Sequence, residues 1–132
     1  MSQYFVTVAR SCAACFVARL DPTLDELSDI KTAVSEAVTN CIVHAYPGEI
    51  GTIHMKCSIL DDKTIEISLR DTGVGIEDVD KAREPLFTTG DPGERAGMGF
   101  SIMESFMGKV KVRSKLGKGT TVVMRKTLDG RR

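Results

Sequence analysis

The sequence predicts an α+β fold, a two-layer α/β sandwich with helices on one face of a mostly antiparallel sheet. Two observations predict it. Apolar residues recur at three- and four-residue intervals in the first third of the chain, which indicates amphipathic helices. Two pairs of short segments further on alternate apolar with polar residues across turn sequences, which indicates two hairpins. The 132 residues are enough for one core, so we expect a single domain over residues 1–132.

The amino-terminal segment has the least regular pattern. Residues 3–8 read QYFVTV, and we expect the first ten residues to form a short strand or an extended lead-in. Residues 11–20 are expected to be helical, with an apolar side made by Phe16, Val17 and Leu20.

A long helix is predicted next. Asp21-Pro22 interrupts the chain, and Thr23 followed by Glu26 has the spacing of a capping box, in which each side chain bonds a backbone NH at a helix start. The helix should run to about His44. Its predicted apolar face consists of Leu24, Leu27, Ile30, Val34, Val38, Cys41 and Ala45.

The rest of the chain predicts two hairpins separated by a long loop and a helix. Residues 53–59 and 65–69 alternate across a turn, and KVKVRS and TTVVMRK do so later in the chain. Residues 71–99 are rich in glycine, proline and charge, and a helix is expected from Gly99 to Met107. A loop this long inside a small domain is usually functional or disordered.

Composition excludes several classes of function. Lysine plus arginine and aspartate plus glutamate both number 18, so no basic excess indicates a direct nucleic acid partner. No apolar run approaches the roughly 20 residues of a membrane span, and the first residues do not resemble a signal peptide. We expect a cytoplasmic protein without a membrane partner. Cys12 and Cys15 form a lone CxxC, so buried apolar thiols are favoured over zinc or a redox dithiol.

The stretch SEAVTNCIVHAYP places a carboxylate in an otherwise apolar helix. Glu36 is its only formal charge, and Asn40 lies one turn later, on a line beside Ala33 and Ala37. A solvated face or a cap is the ordinary explanation for such a pair. It weakens here because the helix from Ser35 onward offers almost no other polar surface. A buried or half-buried carboxylate is costly unless it is paired or takes part in chemistry.

Two glycine-rich clusters follow. Asp71-Thr72-Gly73-Val74-Gly75 comes where a predicted strand ends, and its glycines would let a ligand approach the backbone, although an ordinary turn explains it equally well. Gly97-Met98-Gly99 opens the next predicted helix, where free NH groups suit phosphate. A plain hinge is the alternative there.

Together these motifs resemble a known family. ExxxN on a helix, DxGxG after a strand, GxGF behind a long loop and GxGT at residues 117–120 resemble the four boxes of the Bergerat-type ATP-binding domain of gyrase, MutL and bacterial histidine kinases. The chain from about Arg10 to about Lys126 more closely resembles the anti-sigma F factor family, serine kinases of endospore-forming bacteria. That likeness is carried by LDPTLDELSDIKTAVSEAVTN, RDTGVGIEDVDKAREPLFTT and ERAGMGFSIMESFM.

The resemblance implies roles for five residues around the nucleotide. Glu36 would be the general base that takes the proton of a substrate serine. Asn40 would hold the Mg²⁺ that bridges the phosphates of ATP. Asp71 would accept a hydrogen bond from the adenine amino group, with Gly73 and Gly75 shaping the pocket. These roles suit phosphoryl transfer, which depends on positioning and charge neutralisation.

Further roles follow from the same resemblance. Thr120 would support the adenine edge through water. Gly97 and Gly99 would contact the phosphates as part of an ATP lid over residues 81–99. Arg95 resembles the arginine that reaches the terminal phosphate, and we count it with Glu36 as catalytic.

The implied function is an ATP-dependent protein serine kinase that is also an anti-sigma factor. It would bind the sporulation sigma factor F in the ATP state, with Arg10 at that interface, and phosphorylate a serine of an anti-anti-sigma antagonist. A homodimer is implied, although only residues 3–8 could supply the family's first strand, which contributes to it. Two alternatives remain: a related stress-response kinase, and a non-catalytic module that sequesters a sigma factor in a nucleotide-dependent way. A histidine kinase is disfavoured because only His44 and His54 are present.

Overall fold

The computed structural model describes residues 2–42, 51–61, 63–76, 79 and 92–129, without the side chains of residues 2–5 and 92–98. Within them lie three α-helices, a short 3-10 turn at Ala18–Leu20 and four strands. None of the described helices is long and apolar enough to cross a membrane. The elements are α1 (Ser2–Val17), α2 (Leu24–Asn40), β1 (Ile53–Ile59), β2 (Thr64–Asp71), α3 (Pro92–Met107), β3 (Lys109–Lys115) and β4 (Gly119–Thr127).

The strands form one antiparallel sheet in the order β1-β2-β4-β3. Each predicted hairpin is present, and the pairing of β2 with β4 joins the two. In that central pair Thr64 lies opposite Thr127 and Arg70 opposite Thr121. The carboxyl end of β2 therefore meets the amino end of β4, and the predicted α+β fold is confirmed.

One core lies between the helices and a single face of the sheet. Ile65, Ile67 and Leu69 of β2 are at most 1% exposed, as their alternation predicts. From the helices they meet a set of buried apolar side chains made by Ala13, Val17, Ile30, Ala33, Val34, Ala37, Val38, Phe100, Met103 and Met107. Lys126 links the sheet to two helices at one end of the molecule. Its ammonium group donates to the Phe106 carbonyl of α3 at 2.6 Å and lies 3.5 Å from the Asp29 carboxylate of α2.

Helix α2 begins with the predicted capping box. The Thr23 hydroxyl accepts from the Glu26 NH at 3.1 Å, and the Glu26 carboxylate accepts from the Thr23 NH at 2.9 Å. Leu24, however, is 75% exposed, so its assignment to the apolar face is wrong. Leu24 is the first residue of α2, whereas the buried residues of this helix begin at Ile30. The predicted end near His44 falls outside the described residues.

The segment 3–8 is neither a strand nor an extended lead-in, because it belongs to α1. Val6 and Ala9 pack against the core and continue, at helical intervals, into Ala13 and Val17. The short alternation in QYFVTV is therefore outweighed by a helical period that extends through the following residues.

The helix predicted from Gly99 begins earlier, at Pro92. Proline is well tolerated in a first helical turn, where its missing NH has no intrahelical partner to lose. Residues 92–99 of the expected lid segment are thus helical backbone. Residues 81–91 of that segment lie outside the described residues.

Candidate functional site

Most of the predicted site residues converge at one end of the sheet. Asn40 is the last residue of α2, Asp71 the last of β2, and Thr120 the second of β4. All three are polar and at least nine-tenths buried. Buried polar groups are costly unless they have partners, so this cluster is where chemistry is expected.

The side chain of Asn40 has no partner in the described structure. Its amide nitrogen and oxygen are both buried, and neither bonds to any described residue. Gly99 of α3 packs against this amide, and a Cβ on that glycine would lie 2.9 Å from the amide nitrogen and 3.2 Å from the oxygen. The absence of a side chain at Gly99 is therefore what leaves room for the amide between the two helices.

Asp71 is held by the backbone around it. One carboxylate oxygen accepts from the Gly73 NH at 3.0 Å and from the Thr120 NH at 3.2 Å. Cys41 lies beside it: burial, then the negative charge of Asp71 and a hydrogen bond to it, raise the pKa of the Cys41 thiol far above its usual range. The thiol therefore stays protonated next to a carboxylate whose position is fixed.

The Thr120 hydroxyl belongs to a network centred on Ser114 of β3. The two hydroxyl oxygens lie 2.7 Å apart, across the cross-strand pair that these residues form. Ser114 also donates to the Gly119 carbonyl at 3.0 Å and accepts from the Ile76 NH at 2.7 Å. This network connects the loop after β2 to the hairpin of β3 and β4.

Two glycines allow that loop and that hairpin to touch. Gly75 has φ +78°, and a Cβ there would overlap the Lys115 carbonyl. Gly119 has φ +110°, and a Cβ there would overlap the backbone of Asp71 and lie 2.7 Å from the Thr72 Cα. Only glycine fits these close approaches at such φ values.

Four predicted site residues, Glu36, Arg95, Gly97 and Arg10, are not part of this buried cluster. Glu36 is half-buried one turn before Asn40 on α2. Arg95 and Gly97 lie in α3 ahead of Gly99, where only the backbone is described. Arg10 is exposed on α1, which packs along α2, so it faces solvent and does not join the cluster.

Sequence reasoning missed Ser114 and treated Cys41 only as an apolar group. Ser114 stands in an alternating strand, where a polar residue is ordinary, and only the fold brings it to Thr120. The expectation of buried thiols holds for Cys41 and is wrong for Cys12 and Cys15, which are exposed.

A groove of about 650 Å³ lies at the opposite end of the sheet. It is formed by the start of β2, the end of β4 and the end of α3, with Thr64, Phe106 and Lys126 among its lining residues. Its described lining includes none of the predicted site residues.

Comparison with known proteins decides the family. Residues 3–126 match the family described as "Histidine kinase-like ATPase domain". The chain belongs to this histidine kinase-like ATPase family. Its fold implies ATP binding, and the polar cluster lies where the family's motifs, ExxxN, DxGxG, GxGF and GxGT, come together in this chain. The resemblance predicted from those motifs is confirmed.

Several similar curated proteins carry the same name. An "Anti-sigma F factor" of Caldanaerobacter subterraneus subsp. tengcongensis is 56% identical over 94% of this chain and 86% of its own length. Proteins of the same name from Geobacillus kaustophilus and Clostridium acetobutylicum are 53% and 49% identical, each over 89% of this chain, with 81% and 82% of their own lengths covered.

Solved structures agree on the fold. The histidine kinase domain of the Erythrobacter litoralis blue-light-activated histidine kinase superposes with TM-score 0.59 at 26% identity, covering 79% of this chain and 45% of that one. The mycobacterial sensor histidine kinase MprB gives TM-score 0.57 at 18% identity, over 80% of this chain and 74% of that one. This chain thus spans less than half of the first kinase domain, and the shared part is the ATPase-like sandwich.

Proposed function

We propose that this protein is an ATP-dependent protein serine kinase and an anti-sigma factor. The observation that carries the proposal is the buried Asn40 amide, which lies against Gly99 in the ATPase-like fold and bonds to none of the described residues. The names of the similar proteins support the anti-sigma part.

The residues at this end of the sheet fit ATP with Mg²⁺. Asn40 offers an amide oxygen without a partner, which suits Mg²⁺, because this ion takes few protein ligands and shares its coordination with phosphates. Asn40 is our candidate ligand, because its buried amide oxygen bonds to no described residue. When bound, the ion would neutralise charge on the transferred phosphoryl group. Asp71 would select the base, with Gly73, Gly75 and Thr120 around it, and Gly97 and Gly99 would meet the phosphates.

Glu36 is our candidate for the general base. It lies on the same line of α2 as Asn40 and is half-buried, so it can face both the nucleotide and an approaching protein. Its carboxylate would take the proton of the substrate serine as that oxygen bonds to phosphorus and ADP leaves. Arg95, three residues into α3, would contact the terminal phosphate and distinguish ATP from ADP.

The partners we propose are a sigma factor, expected to be sporulation sigma factor F, and an anti-anti-sigma antagonist phosphorylated on serine. Arg10 is exposed on α1 and free to meet the sigma factor there. A homodimer in the cytoplasm is expected. Because residues 3–8 are helical, a dimer would not use a first strand from that segment.

The test of Glu36 is a phosphoryl transfer assay with labelled ATP, Mg²⁺ and the antagonist. Glu36→Gln should lower the rate at least about a hundredfold, in the range that general bases contribute, with ATP affinity kept. Asp25→Asn is the matched control, because Asp25 is an exposed carboxylate at the far end of the same helix. Transfer by Glu36→Gln at the wild-type rate would remove Glu36 from the base role.

A binding assay with ATP and with ADP tests the anti-sigma part. Sigma factor F should bind better with ATP, and the antagonist better with ADP. Nucleotide-dependent sigma binding without transfer to any partner would instead favour the non-catalytic module, and preference for another sigma factor would favour the stress-response relative.

A further inference from the structure

We propose that Ser114 determines which purine the site accepts, by fixing the Thr120 hydroxyl as a hydrogen-bond acceptor. The inference rests on the proposed nucleotide binding and adds a residue that none of the family motifs contains. It says that the site favours a purine with an amino group at position 6 over one with an oxo group.

The direction of the hydrogen bonds follows from the valence of Ser114. A serine hydroxyl has one proton to donate and two lone pairs. The Gly119 carbonyl can only accept, so the 3.0 Å contact uses the Ser114 proton. The Ile76 NH can only donate, so the 2.7 Å contact uses one lone pair. Thr120, 2.7 Å away, must therefore donate to the lone pair that remains.

The Thr120 hydroxyl has only lone pairs available for a hydrogen bond to a ligand. Its proton is committed to Ser114, so its hydroxyl can accept a hydrogen bond and cannot donate one. Its own backbone NH bonds the Asp71 carboxylate at 3.2 Å, which keeps residue 120 beside that second acceptor. Thr120 is also 91% buried, since 9% of its surface is exposed, so water has little opportunity to reorient the hydroxyl.

Two adjacent acceptors match one purine substituent and oppose the other. An exocyclic amino group in direct contact brings two protons and satisfies both Asp71 and Thr120. An oxo group brings lone pairs to the same two acceptors, and the N1 proton of a 6-oxo purine can satisfy only one of them, which leaves a buried polar group unpaired. A freely rotating Thr120 hydroxyl could donate to the oxo group, and Ser114 prevents this.

If Ser114 only supported the loop, its loss would change the affinity for all nucleotides and not the preference between them. Through Ile76 the serine also anchors the loop that follows Asp71, so its loss could weaken the binding of every nucleotide alike. The ratio of affinities for a 6-amino and a 6-oxo purine nucleotide separates the two roles. ATP and inosine triphosphate are such a pair: they differ in the group at position 6 and in the proton that inosine carries on N1, and neither has the 2-amino group of guanosine.

The experiment measures the affinities for ATP and inosine triphosphate by calorimetry. Relative to the wild type, Ser114→Ala should narrow the ratio of the two affinities about tenfold, the scale of one hydrogen bond. Ser114→Thr keeps a hydroxyl and should restore the wild-type ratio. Thr120→Val removes the constrained hydroxyl itself and should narrow the ratio even if Ser114→Ala does not fold. Ser105→Ala, an exposed serine near the end of α3, is the control.

The outcomes separate this inference from the proposed function. A wild-type ratio in Ser114→Ala or in Thr120→Val, or an equal loss of both affinities, would overturn the inference and leave ATP binding standing. Failure of the wild-type chain to bind ATP at all would overturn the proposed function and the inference with it.

Discussion

At the scale of single residues, the buried amide of Asn40 has a desolvation cost that no hydrogen bond to a described residue offsets. A buried polar group without a partner destabilises a protein by about 1–3 kcal/mol. We therefore expect Asn40→Leu, which has a similar shape and no polar atoms, to keep or raise the free energy of unfolding by about 1 kcal/mol. The same variant should lose at least about tenfold in affinity for ATP with Mg²⁺. Thermal unfolding and calorimetry measure the two effects.

Glu36→Gln provides the comparison, since it changes the neighbouring polar residue on the same helix line and should keep ATP affinity. A large loss of stability in Asn40→Leu would show that Asn40 has partners and a structural role. The motif ExxxN was enough to single out this pair. The unpartnered state of Asn40 was not predictable, because it depends on Gly99, which is distant in the sequence.

At the scale of elements, Gly99 makes α3 less stable than alanine at the same position would. Glycine inside a helix costs about 0.5–1 kcal/mol relative to alanine. Gly99→Ala would recover this, and its Cβ would displace the Asn40 amide, which has no hydrogen bond to lose. We expect the melting temperature without nucleotide to stay the same or rise, and the affinity for ATP with Mg²⁺ to fall about tenfold. Ser105→Ala, exposed on the same helix, should raise helix propensity without changing affinity. Unchanged affinity in Gly99→Ala would contradict a role for the Asn40 position.

Elements with a long, consistent period were predictable, and those with short patterns were not. The alternation of β2 and the capping box of α2 depend on neighbours a few residues away, so the sequence contains all the information needed. QYFVTV is too short to distinguish a strand from a helical turn. Its helical state follows from the period that Val6 and Ala9 share with Ala13 and Val17, which is visible only when the segment is read together with the residues after it. Ser114 likewise acquires its role only through the pairing of β3 with β4.

At the scale of the whole molecule, the candidate site exists only when three distant segments meet. The end of α2, the segment after β2 and the start of β4 contribute Asn40, Asp71 and Thr120, and the central pairing of β2 with β4 sets their approach. A ligand that bridges them should stabilise them together, because binding to the native state alone lowers the population of every opening that breaks the site.

Hydrogen exchange measured with and without ATP and Mg²⁺ tests this coupling. We expect slower exchange in residues 38–42, 71–76 and 119–121 at the same ATP concentration. Residues 60–64 and 105–109, around the groove at the opposite end of the sheet, serve as the internal control and should be unchanged. Asp71→Asn should abolish protection in all three segments, because the site loses the carboxylate proposed to select the base. Protection confined to one segment would contradict a shared site, since each segment would then respond independently of the others.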